Sequence, residues 1–513
     1  MKTYYNKYAL LCLFLTGIVQ WLSAQEICNQ TFNQQTNVSL VAPIPTELPV
    51  TDGEVPINDG GYYHDGERII YWLHGLSGNE DSWARASAAT SIYGVDGYPA
   101  RKIFSLNPTY TEFDLQSAAW NLHQSCVTLG DPVDQAIGNT DPKNNFIIAH
   151  SQGGLVARAL DKMYWDNNME EDRRIGGIVT FGTAHQGALI LNNYDQIIDY
   201  ADLICTELTI GPVTEEILSN FWLRFLVSEQ AIQETADVAC EFFSHTVLPV
   251  ALTAFQPNIT QDYEVGAPDL EVLNNYLPNI PTVAFYGVEQ EPILWRNIQY
   301  LGVDNPNDYD PFEADTDDKL VQSAAENTMK YLGKQLYWES TMSDLEEWGF
   351  PCGPLEWIFM SVLCSIWDTE YWVAYSIADA WERGYHWFAN ANYEYKLMIG
   401  AIQFEYSPRM YCGCYPQDDD WVDDFNFNYF PITHPAQCPS ECWMEEIIEI
   451  QPMAYESDGV VLANSAAALP GANFVSRMSQ TSHMQMRNNS ELKSGLNRLF
   501  EGEFGWYFKT DER

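Results

Sequence analysis

The sequence predicts an α/β fold: a doubly wound, mostly parallel sheet interrupted by two large insertions. Three observations point there. Short, nearly continuous apolar runs recur along the chain ("RIIYWL", "NNFIIA", "GGIVTF", "PTVAFY"), and strands that read this way are buried on both faces. Between several of them lie segments whose apolar residues have helical spacing, the alternation that builds a parallel sheet. At residues 188–280 and 288–455 that alternation gives way to long stretches of a different texture.

The elements follow in order. Lys2 and Lys7 precede an apolar run from Ala9 to Val19, with the small residue Ala24 at a cut site. Residues 1–24 therefore read as a signal peptide for secretion or delivery to a periplasm; the run is too short to span a bilayer. Residues 25–67 are rich in Pro, Asn, Thr and Gly and read as an irregular N-terminal segment. The first part of the core, 68–187, holds strands at 68–75, 100–108, 144–150 and 175–183, and helices at 113–129 and after residue 151. Residues 188–280 form the first insertion, with amphipathic patterns such as "EEILSNFWLRFLVSEQAI". A core strand follows at 281–287. The second insertion, 288–455, carries six cysteines and many of the 17 tryptophans. Aromatic stripes at helical spacing are first of all core, so it reads as a helical, disulfide-containing cap. Residues 456–513 return to the core with a helix at 460–469 and a last strand at 472–478.

Composition excludes some partners. Hydrophobic residues make up 46% of the chain and charged ones 19%, as in a globular protein. With 25 Lys+Arg against 71 Asp+Glu, the formal net charge is -46, which repels nucleic acid and anionic membrane surfaces. After the leader no stretch of membrane-spanning length is free of charge, so no transmembrane segment is expected. Of 11 cysteines, Cys12 leaves with the leader. The even number left in an exported chain implies disulfides. Proximity suggests Cys205 with Cys240 and Cys352 with Cys364. Cys412, Cys414, Cys438 and Cys442, with His434 nearby, could instead hold zinc, but an oxidising compartment favours disulfides.

Chemistry concentrates on Ala149-His150-Ser151-Gln152-Gly153. A strand precedes this stretch and a helix follows it, the setting of a nucleophile elbow, where small residues two before and two after the serine let the backbones close up. A serine nucleophile needs oxyanion donors. The N–H of Gln152 is one; the "LHGLSG" loop at 73–78 offers Leu76 as the other. It also needs a histidine base that follows the acid in the chain. His64, His74, His123 and His150 precede Ser151, and His185 follows the fourth strand too closely for an acid to intervene. His245, His386 and His434 fall in the insertions; His483 lies in the loop after the last strand. Two acids are placed to serve. Glu289 directly follows the 281–287 strand, and Asp458 sits in "ESDGVV" after the second insertion, where Asp-Gly is also an ordinary turn signal.

"HGLSG", "AHSQGG", "FGTAHQG" and the late "SDGVV…SHMQM" together resemble the secreted bacterial triacylglycerol lipases of the α/β-hydrolase fold. The resemblance covers roughly residues 68–190 and 455–490. It implies Ser151 as nucleophile, Asp458 as acid, His483 as base, and Leu76 and Gln152 as oxyanion donors, with Glu289 left as the alternative acid. It places insertion 188–280 where the family carries a lid; insertion 288–455 has no counterpart. Ala149 stands where the family has Gly, Ala184 where it has Pro, and Gln485 where it has a calcium ligand, so no metal site is carried over. The acidic clusters at 308–318 and 418–424 lack the spacing of a calcium loop. The expected activity is hydrolysis of carboxylic esters, foremost lipids presented at an interface, through an acyl-enzyme and without a cofactor. The rivals are another acyl substrate (phospholipid, polyester or amide), acyl transfer, or a non-catalytic binding protein on a hydrolase scaffold.

Overall fold

Alternate residues of the first strand point to opposite sides of one sheet, and both sides are dry. A computed structural model of the chain describes residues 68–76, 78, 80–83, 86, 101–104, 114–193, 261–301, 319–347, 428–440, 442–509 and most of 371–414. The signal peptide, the N-terminal segment, most of the first insertion, Cys205, Cys240, Cys352, Cys364 and both acidic clusters lie outside those residues.

The main sheet is built from β1 (Ile69–Leu73), β2 (Arg101–Phe104), β3 (Phe146–His150), β4 (Ile178–Phe181), β5 (Thr282–Val288) and β9 (Phe474–Ser479). The order is β2-β1-β3-β4-β5-β9, and every pair is parallel. This order fits the α/β-hydrolase architecture. It changes direction between β1 and β3, and in open α/β sheets ligands bind outside the carboxyl ends of the strands at such a point.

Side-chain alternation splits the core in two. Ile69, Tyr71 and Leu73 of β1, Ile147 and Ala149 of β3, and Ile178 of β4 share one face. Against it pack the helices α1 (Leu115–Ser125), α2 (Gln152–Asp166) and α3 (Pro268–Asn274). Ile70, Trp72, Phe146, Ile148, Val179, Phe181 and Phe285 face the other way and are covered by the C-terminal segment. The central strands β1, β3 and β4 therefore lack the polar alternation of a half-exposed sheet, while β9 at the edge is only partly buried.

Local chemistry sets the helix ends. Asp114 caps α1, its side chain accepting from Ser117 N at 2.7 Å, a contact worth about 1 kcal/mol. The long helix α4 (Lys319–Glu347) belongs to the second insertion and the short α5 (Ala463–Ala467) to the returning core. In α6 (Ser490–Glu501), Asn489 is the N-cap, accepting from Leu492 N at 2.8 Å, and Gly502 closes the helix with a left-handed φ of 87°.

The second insertion corrects the helical expectation. Residues 402–454 include a three-stranded antiparallel sheet, order β7-β6-β8, of β6 (Ile402–Cys414), β7 (Asn428–Ile432) and β8 (Trp443–Ala454). The disulfides described lie here: Cys412–Cys438 and Cys414–Cys442. The four cysteines raised as a zinc alternative are thus paired with one another. Cys126 departs from full pairing: it is a free, buried thiol. No helix among the described residues is long and apolar enough to cross a membrane.

Candidate active site

The turn after β3 forces a residue with a side chain into a conformation that L-residues avoid. Ser151 has φ 53° and ψ -124°, a strained setting that costs on the order of 1–3 kcal/mol and persists only where the surroundings impose it. They do so at both ends of the residue. Ser151 N donates to Phe181 O at 2.8 Å, and Ser151 O accepts from Gly154 N at 3.0 Å and Thr183 Oγ1 at 2.9 Å.

Two glycines make the approach possible. A Cβ on Gly75 would lie 2.8 Å from Ser151 Cβ and 3.0 Å from His150 Nδ1, and one on Gly153 would lie 2.6 Å from His74 O. The loop after β1 and the start of α2 thus meet at the switch point. Gly75 O accepts from His74 Nδ1 at 2.8 Å and Gly78 N at 3.0 Å. With that carbonyl tied back, the planar trans peptide aims the N–H of Leu76 the opposite way. Gln152 begins α2, where the helix concentrates partial positive charge. Its side chain donates to the hydroxyl of buried Tyr263 at 3.1 Å.

The late motif folds onto the same edge. Asp458 is 1% exposed and His483 5%. His483 Nδ1 donates to Asp458 Oδ2 at 2.8 Å, and His483 N donates to Asp458 O, also at 2.8 Å. Oδ1 of Asp458 accepts from Val460 N at 2.9 Å and Val461 N at 2.7 Å. With its proton on Nδ1, the ring keeps the Nε2 lone pair for a base's work. Gly182, after β4, presses on the pair: a Cβ there would lie 3.2 Å from both Asp458 Oδ2 and His483 Nδ1. Among the described residues no hydrogen bond joins Ser151 Oγ directly to the His483 ring; catalytic bonds commonly tighten only with substrate.

The other candidates are placed differently. Glu289 donates its N–H to Ser457 O at 2.9 Å, and its Oε1 accepts from Gln290 N at 2.6 Å. It thus lies beside the Asp458 loop. His185 is fully buried, accepting from Arg158 at Nδ1 (3.2 Å) and bonded to Thr180 Oγ1 at Nε2 (3.1 Å). Burial, with Arg158 nearby, pushes its pKa well below the usual imidazole value. Gln485 uses its side-chain oxygen to accept from Ser482 N at 2.9 Å, bracing the loop that carries His483. Chain order excludes His150 as the base because it precedes Ser151. It turns out to touch the base loop, a tertiary contact for which no local signal exists: its Nε2 lies 2.8 Å from His483 O.

No family model and no curated protein matches the chain. Similar solved structures include the lipase BlEst2 of Bacillus licheniformis in its mature form (15% identity, covering 45% of this chain and 68% of that one, TM-score 0.25). They also include the phospholipase PlaB of Legionella pneumophila (12% identity, 44% and 40% covered, TM-score 0.25). A third is an extracellular α/β-hydrolase of a Paenibacillus species (13% identity, 43% and 77% covered, TM-score 0.23). Likenesses this slight rank no substrate.

Proposed function

We propose that the chain is a serine hydrolase that cleaves carboxylic esters, with lipids as the favoured substrates. The observation that carries the reading is a buried Asp458–His483 pair, hydrogen-bonded at 2.8 Å, at the edge of the sheet where Ser151 occupies a strained strand-to-helix turn. Structural turns rarely retain such strain without a use.

In this mechanism Ser151 Oγ attacks the ester carbonyl carbon while His483 Nε2 takes its proton. Asp458 fixes the tautomer and stabilises the imidazolium that forms. The tetrahedral oxyanion is met by the N–H groups of Leu76 and Gln152, each worth on the order of 10²–10³ in turnover. Collapse expels the alcohol, which receives the proton from His483, and leaves an acyl-serine. Water then attacks the acyl carbon, His483 takes its proton, and the acid departs as Ser151 is regenerated.

A chromogenic short-chain ester tests the reading. Wild type should hydrolyse it and a fluorophosphonate should label Ser151, whereas Ser151→Ala should lose turnover yet unfold at nearly the same temperature. Substantial hydrolysis by the purified mutant would sink the proposal. The preference for lipid rests on the resemblance of the motifs and is tested separately: an ester presented as droplets should be turned over faster than the dissolved monomer. A rate that ignores the interface would leave a plain esterase.

A further inference from the structure

The residue before the candidate nucleophile reaches across the site to the candidate base. His150 is 4% exposed, at the last position of β3. Its Nε2 lies 2.8 Å from the backbone oxygen of His483, 333 residues away in the chain. A carbonyl only accepts, so the proton of His150 is on Nε2 and the ring donates. The two imidazoles lie with centroids 4.6 Å apart at 49°. Behind the His150 ring, Trp83 meets it edge-on at 6.3 Å, and Gly75 closes over Nδ1. The ring cannot swing away without displacing one of these.

His483 is thereby held at three points. Its N–H and its Nδ1–H are both given to Asp458, and its carbonyl is taken by His150. The two Asp458 contacts fix the ring and the chain on the acid's side. The third ties the same residue to the strand that ends in Ser151, so the bond sets the separation between base and nucleophile. We propose that His150 is a positioning residue for the hydrolase reaction, registering the general base against Ser151 through a neutral Nε2–H donor; the inference rests on the function proposed above.

A donor that must stay neutral is consistent with its surroundings. Burial drives the His150 pKa well below the usual imidazole value, and the neighbouring His483, Arg487 and His74 push the same way, against the bond to His483 O. A charged ring there would oppose the imidazolium that forms on His483 during acyl transfer. Lysine could supply an N–H but not without that charge; glutamine supplies a neutral one.

The test compares His150→Leu with His150→Gln on dissolved p-nitrophenyl butyrate, with active sites counted by fluorophosphonate labelling to completion. Misplacing a base by about 1 Å costs up to about 10²-fold, so kcat per site should fall about 10- to 100-fold in the leucine variant, with KM unchanged and the labelling rate constant reduced in parallel. The glutamine variant should recover most of that loss. Wild-type kcat per site in His150→Leu, or a glutamine variant as slow as the leucine one, overturns the inference. If His150→Leu does not fold, His150→Asn replaces it. Its amide is one methylene shorter, and turnover equal to that of the glutamine variant is then the overturning result. Hydrolysis that survives Ser151→Ala sinks the hydrolase reading itself. Ser151-dependent hydrolysis that is indifferent to residue 150 sinks only the role of His150.

Discussion

Asp458 grips His483 twice, through its carboxylate at the ring Nδ1 and through its carbonyl at the backbone N–H, each at 2.8 Å. The backbone bond fixes where His483 is attached, and the carboxylate fixes how its imidazole is turned. An amide in place of the carboxylate would keep the shape but favour the wrong tautomer. Asp458→Asn should lower turnover by about 10⁴. Glu289→Gln should cost little, because that carboxylate accepts from the neighbouring backbone of Gln290. Steady-state kinetics on both variants decides the assignment, and the reverse pattern would make Glu289 the acid.

Close packing at the elbow gives a second expectation. Gly75→Ala places a methyl 2.8 Å from Ser151 Cβ and 3.0 Å from His150 Nδ1, inside van der Waals contact on two sides. Overpacking of this kind costs typically about 1–3 kcal/mol, and here it falls on the candidate nucleophile, so turnover should drop with stability. Gly333→Ala is the control. It lies within α4 with nothing near its Cβ, and should stabilise by up to about 1 kcal/mol. Chemical denaturation and ester hydrolysis on the two variants check the contrast.

Acid should loosen the fold through its buried histidines. Burial lowers the pKa of His74, His150 and His185 below the usual 6.5. Below that pH the unfolded chain takes up protons that the folded one refuses, so the unfolding free energy falls as pH falls. The slope is about 1.4 kcal/mol per pH unit for each histidine, and it persists until the folded-state values are reached. Urea unfolding at pH 7.5, 6.5 and 5.5 measures it. His185→Gln, neutral throughout, should flatten the slope by roughly one proton's share; an unchanged slope would mean that His185 titrates normally in the folded state.

On the far edge of the sheet, Arg173 and Asp161 form an ion pair with side chains 3% and 0% exposed. Tyr276 donates to the second carboxylate oxygen at 2.9 Å. Arg173→Met strands that carboxylate and should destabilise by about 3–5 kcal/mol. Because Arg173 precedes β4 while Ser151 follows β3, and the strands are parallel, kcat per active site should be preserved. Calorimetry with active-site titration separates the two effects.

The centre of the main sheet was legible because dryness on both faces leaves β1, β3 and β4 as nearly uninterrupted apolar runs bounded by turn signals. The three-stranded sheet at 402–454 was not. Its long strands carry Pro408 and Pro452; β6 does alternate, with Ile402, Phe404, Tyr406, Met410 and Cys412 set against Gln403, Glu405, Ser407 and Arg409, but β8 breaks the period with Glu445-Glu446 and Ile447-Ile448. Disulfide pairing depends on which strands meet and cannot be read from spacing. At the site, Ser151, Asp458 and His483 could be nominated from motif and chain order. The strain at Ser151 is imposed by Phe181 and Thr183, the place of Glu289 by Ser457, and the reach of His150 by His483, 333 residues away; these are contacts between separate segments, where local patterns are silent.

The C-terminal segment closes the molecule. Arg68, just ahead of β1, donates to the carbonyls of Tyr507 and Lys509, while the Tyr507 hydroxyl lies within hydrogen-bonding distance of Lys143 O and Asn145 O and donates its one proton between them. Residues 456–509 also supply the Asp458 loop, the sixth strand and His483. During synthesis the segments that form the serine turn therefore emerge long before the candidate acid, the candidate base or the cover for one face of the sheet. Domains generally fold as units, from the N-terminal end as the chain emerges, but this one cannot be finished by its N-terminal half. Until residues 456–509 are made, the turn that carries Ser151 has neither the Asp458–His483 pair beside it nor the cover for one face of the sheet.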